Sequence, residues 1–145
     1  MTDAEMLKSL RLFYAGLMVD SASNFEGFGV SEKVAAKKAA EQLAAAPAQL
    51  AQLGIGSPRE LFERFTELFG CAIWEVEELA LGGAAAVASS CLACAIAKRR
   101  GSGRPCSLYC INPFRAYASA LGMELTVGET LWEGGKCAFK MESLG

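Results

Sequence analysis

Two close pairs of cysteines, Cys91-x2-Cys94 and Cys106-x3-Cys110, have spacings at which neighbouring side chains can present two thiolates to one tetrahedral ion. The eleven residues between the pairs are few for a zinc ribbon, and the spacing follows neither the bacterial nor the plant iron–sulfur run. Cys137 adds a further thiol near the end of the chain. The chain has no histidine, which excludes a Ser-His-Asp triad, a Cys-His dyad and a Cys2His2 zinc site. Three readings of the six cysteines stay open: metal ligation, redox or nucleophilic thiol chemistry, and plain burial, since free cysteine is among the most buried residue types.

Glu129 lies in phase with Leu125, Val127 and Leu131, on what reads as the buried face of a strand. A carboxylate there needs a metal ion, a lysine or arginine, or a ligand cation beside it, unless the strand frays and lets it reach water. Lys98, Arg99, Arg100 and Arg104 form a basic cluster that suits the negative end of a helix better than a dedicated anion site. Phe62, Phe65, Phe69 and Trp74 read as core aromatics. Trp74, Phe114 and Trp132 are the side chains expected to line any ligand pocket. Gly54-Ile-Gly56 and Gly101-Ser-Gly103 lack the Gly-Lys-Ser/Thr ending of a phosphate loop and are assigned to turns.

The elements that must position these residues follow from capping signals and periodicity. Thr2-Asp-Ala-Glu5 has the spacing of a capping box, and Met6, Leu10, Phe13 and Leu17 recur at steps of four, three and four, so an amphipathic helix should run to about Phe25. A second helix is expected from Ser31, kinked or ended at Pro47. Ser57-Pro-Arg-Glu60 opens a third, with Leu61, Phe65, Leu68 and Phe69 as its apolar stripe. From Cys71 the period becomes two, and a strand carrying Ala72, Trp74 and Val76 on one face should turn at Gly82-Gly83 into a return strand from Ala84 to Ser89. Short helices are expected from Cys91 to Arg99 and from Pro113 to Leu121. The chain should end in a hairpin with a three-residue loop, Glu133 to Gly135, that places Leu131 opposite Cys137. The fold class is therefore α+β: three helices, then a ββααββ unit with a mainly antiparallel sheet covered by helices. Residues 1–145 form a single domain, with a helical part (1–70) and a cysteine-containing part (71–145).

Hydrophobic residues make up 52% of the chain and the net charge is −2, which names no polyanionic partner, so no nucleic-acid binding is expected. The start carries acid where a secretory leader carries base, and no apolar run is long enough to span a membrane. The reading is cytoplasmic, with no membrane partner, and a reducing compartment argues against structural disulfides.

From about Gly82 to Glu142 the chain resembles the 4-vinyl-reductase domain and the L-2-amino-thiazoline-4-carboxylic acid hydrolase-like proteins. The likeness lies in a cysteine-bearing helical segment, Val127-Gly-Glu-Thr130 and Gly134-Gly-Lys-Cys137-Ala-Phe139. It implies an α+β ligand-binding module, often a homodimer, with zinc in several members. Carried over, the zinc ligands would be Cys106, Glu129 and Cys137, with Trp132 near the place of an expected hairpin cysteine, so that Cys91, Cys94 or Cys110 would have to complete the set. The first functional reading is a small-molecule-binding protein with a cysteine-rich, zinc-binding site. The alternative is a hydrolase acting on a small cyclic amide-like or thiazoline substrate through a cysteine or a Cys-bound metal. A third, an interaction subunit, predicts a large exposed apolar face and no pocket.

Overall fold

Thr2 opens the first helix, α1 (Asp3–Gly27), through the expected capping box: its hydroxyl accepts the Glu5 N–H at 3.2 Å, and its own N–H donates to the Glu5 carboxylate at 2.7 Å. The computed structural model describes residues 1–144. In it α1 buries Ala15, Met18 and Val19 against Ala93, Ile96 and Ala97 of α4 (Leu92–Arg100). The stripe read from the sequence, Met6 to Leu17, is thus not the face turned to the core.

The second helix, α2 (Ser31–Leu53), runs through Pro47 rather than ending there, and closes at Gly54 in the left-handed conformation (φ 68°). Ala46 and Leu50, on either side of the proline, are buried, and α2 packs along α5 (Asn112–Ala120). Tertiary packing outweighs the lost backbone hydrogen bond. The third helix, α3 (Pro58–Leu68), begins as predicted at the Ser57 cap and buries Leu61 and Phe62.

The sheet has four strands in the order β1-β2-β4-β3, each neighbouring pair antiparallel: β1 (Glu75–Glu78), β2 (Ala84–Ala88), β3 (Met123–Val127) and β4 (Cys137–Ser143). The protein is α+β, as its sequence indicates. Alanine is a poor strand former, yet Ala84, Ala86 and Ala88 are all buried, because small side chains on this face leave room for the large aromatics that cover it. Gly83, where β2 begins, is held so close to β4 that a Cβ would sit 2.6 Å from the Met141 carbonyl.

Two expectations change. The first strand begins at Glu75 rather than Cys71; ahead of it Ala72 makes a single antiparallel bridge with Cys91. In the last hairpin, odd residues do pair with odd, but Val127 faces Phe139 and Leu125 faces Met141, and Leu131 is outside the ladder. The connection spans 128–136 instead of three residues. It is built as a turn in which the Gly134 N–H donates to the Thr130 carbonyl at 2.8 Å and the Thr130 hydroxyl donates to Glu133 at 2.9 Å. Side-chain bonds within this turn offer the backbone an alternative to continued strand.

The core joins both halves of the chain. Phe62 stacks on Phe114 (5.2 Å) and tilts against Trp74 (5.2 Å), which in turn packs on Phe139 of β4 (4.9 Å). Among the described residues no helix is long and apolar enough to cross a membrane.

Candidate functional site: a cavity lined by all six thiols

Between the inner face of the sheet and the helices lies a mainly apolar cavity of about 210 Å³. Every cysteine of the chain lines it: Cys71, Cys91, Cys94, Cys106, Cys110 and Cys137. None is in a disulfide. They arrive from separate elements. Cys71 is carried in by the Ala72–Cys91 bridge, Cys91 and Cys94 by the start of α4, Cys106 and Cys110 by the π-helical turn Ser107–Ile111, and Cys137 by the start of β4. A π turn widens the helix by one residue and is frequent at functional sites.

Burial governs the thiols. It pushes Cys91 up to about 12, against a weaker opposing hydrogen bond from the Cys94 backbone. Burial likewise raises Cys71, Cys94 and Cys137 and lifts Cys110 well above the ordinary thiol range. These five are neutral at physiological pH, and as thiols they present a soft, weakly polar wall. Cys106 is distinguished by its neighbour: the Arg104 guanidinium is stabilised in its charged form first by a hydrogen bond to Cys106. Arg104 also donates to the Thr130 hydroxyl at 3.1 Å and lies 3.5 Å from the Glu133 carboxylate. Thr130 is the one buried polar residue among those described. Lys98 donates to the Leu131 carbonyl at 2.7 Å and sits over the Trp132 ring. The basic cluster read from the sequence is thereby divided: Lys98 and Arg104 tie the β3–β4 connection to the cavity mouth, while Arg99 and Arg100 point to the surface beside α1.

Of the expected ligand-binding side chains, Trp74, Phe114 and Trp132 all line the cavity. Glu129 does not. It is exposed, its carbonyl accepts the Ala138 N–H at 2.9 Å, and its side chain folds over Gly134, where a Cβ would collide with it. The strand ends at Val127, so the alternation that seemed to turn Glu129 inward stops before reaching it. Sequence reasoning missed Cys71, Tyr14, Gln42 and Gln49. Cys71 has no spacing partner, and the glutamines project from a helix whose pattern reads as surface. Gln49 accepts the Tyr117 hydroxyl at 2.8 Å. The Oε1 of Gln42 is buried and has no hydrogen-bond partner.

The donor chemistry suits a soft metal ion. Among the described residues, however, no three cysteine, aspartate or glutamate side chains are already gathered to hold an ion. What the fold defines is an α+β protein with a thiol-walled, mainly apolar cavity. Compared with protein-family models, curated proteins and solved structures, the chain matches none. The likeness to 4-vinyl-reductase domains therefore rests on its short motifs alone.

Proposed function

We propose that this protein binds a small, mainly apolar molecule carrying one hydrogen-bond donor, held between the aromatic wall of Trp74 and Phe114 and the thiols. The observation that carries the reading is Gln42, a cavity-lining residue whose buried carboxamide oxygen has no partner: an unmade hydrogen bond of this kind costs about 1–3 kcal/mol, and a turn of the side chain toward a ligand N–H or O–H would recover it. A predominantly apolar cavity with few polar groups is the usual form of a small-molecule site. Calorimetry with indole and 1-methylindole tests it: the methyl removes the donor, and 3-methylindole, of equal size with the donor kept, controls for the added volume. Indole should bind more tightly, and Gln42→Leu should remove the difference while leaving 1-methylindole unchanged. Equal affinities for both probes, or no binding of either, would sink the proposal.

A second reading is a hydrolase of a cyclic amide-like or thiazoline substrate, in which Cys106, which lines the cavity two residues from Arg104, would be the nucleophile. Glu129, exposed and outside the cavity, has no part in it. Zinc belongs to this proposal only as a group that Cys94, Cys106 and Cys137 would hold after their side chains turn toward one another.

A further inference from the structure

The apolar stripe of α1 faces away from the core. Met6 is 43% exposed, Leu10 67%, Phe13 76% and Leu17 63%, although they recur at the four-three-four steps of a helix–helix seam. Leu7 and Leu68 extend this surface into a groove between α1 and α3. A chain of this size rarely leaves so contiguous an apolar face in water without a partner for it. The stripe stops at Leu17, because Asp20, Ser21 and Asn24 occupy the following positions.

We infer that this stripe is the seam of a homodimer in which α1 of one copy packs antiparallel on α1 of the other. The seam is self-complementary about its midpoint: Leu10 of one copy meets Phe13 of the other, and Met6 meets Leu17. An isologous contact of this kind closes on itself, as two-fold dimers do. Charge selects the direction. The first turn of α1 carries Asp3 and Glu5, while Arg99 and Arg100, at the end of α4, flank the other end of the stripe beside Leu17 and Asp20. Among the described residues neither arginine has an ion pair within the chain. A parallel pair would set the two acidic turns side by side. The antiparallel pair brings each acidic turn to the other copy's Arg99 and Arg100; the same register sets Asp3 opposite Asp20, which the two arginines beside it outnumber.

The seam also touches the cavity. Tyr14 and Phe69, stacked at 5.1 Å, line both the groove and the thiol-walled cavity, so the face that meets the second copy is the outer side of a cavity wall.

Sedimentation velocity of the full chain tests this. The expected species has twice the 15.3 kDa chain mass. Leu10→Glu with Phe13→Glu should give a monomer with unchanged circular dichroism, because both side chains are exposed in the single chain. The milder pair Leu10→Ser and Phe13→Ser should weaken the dimer in the same direction. Arg99→Glu with Arg100→Glu should weaken association about tenfold at low salt, the effect fading as salt rises. A monomer at all concentrations, including one that instead binds lipid vesicles or a foreign helix, overturns the proposal. So does a dimer indifferent to Leu10 and Phe13. A dimer that responds to those two but not to the arginines overturns the antiparallel arrangement.

Discussion

The backbone N–H of Leu131 donates to the Sγ of Cys137 at 3.3 Å, closing the β3–β4 connection with a sulfur where a ladder would use a carbonyl. This bond fixes Cys137 toward the cavity and holds Trp132 and Thr130, its neighbours in the turn, at the mouth. Replacing Cys137 with Ala leaves a half-buried N–H without its acceptor, at a cost of about 1 kcal/mol. The Leu131 amide should then exchange with solvent faster while the amides paired between Thr126 and Lys140 stay protected. An unchanged Leu131 exchange rate would show that the sulfur does not hold the turn.

How far the sequence predicted this arrangement depended on the range of the interactions involved. The Thr2 and Ser57 caps, the glycine end of α4, and the odd-with-odd parity of the last hairpin were legible, because each is set within a few residues. The length of the β3–β4 connection was not, since it depends on Thr130 meeting Arg104, 26 residues away. Cys71 was missed for the same reason: one bridge between Ala72 and Cys91 brings it to the cavity. The α1 stripe was legible as an apolar face, but which face of the helix the core would cover was not. Periodicity reports that a face is apolar, not what covers it.

Burial raises the phenols of Tyr14 and Tyr117 above their ordinary value, and both line the cavity. A phenol raised in the folded state keeps its proton where the unfolded chain has already lost it. Its contribution is therefore complete below the ordinary phenol range and is lost as pH climbs through the folded value. Denaturation midpoints should fall as pH rises through that alkaline range. In Tyr117→Phe the fall should be shallower, although the variant starts lower for want of the bond to Gln49. Midpoints with identical pH slopes in the two proteins would remove Tyr117 as a cause.

Metal occupancy can be read from the thiols themselves. If zinc is held, Cys94, Cys106 and Cys137 should lose reactivity toward an alkylating reagent together, at one ion per chain. The protection should weaken as pH falls, because each ligand must release a proton. Cys71, outside the three proposed ligands, should keep its reactivity. Thiols that react independently with and without zinc would withdraw the metal and leave the cavity to an uncharged ligand.

Phe62 is fully buried and touches both Trp74 and Phe114, the two aromatics that form the cavity wall beneath the sheet. Truncation to Ala removes an aromatic that three elements share, and a loss of about 3–5 kcal/mol is expected from the void alone. Trp74 would also lose the ring that fixes its tilt, so ligand affinity should drop by more than the folded fraction accounts for. Phe62→Leu separates the two effects: it restores most of the volume and stability but not the ring face. If wall geometry matters, this variant folds with near-normal stability and still binds indole more weakly. Recovery of both properties together would mean that Phe62 serves the core and that the cavity wall holds its shape without it.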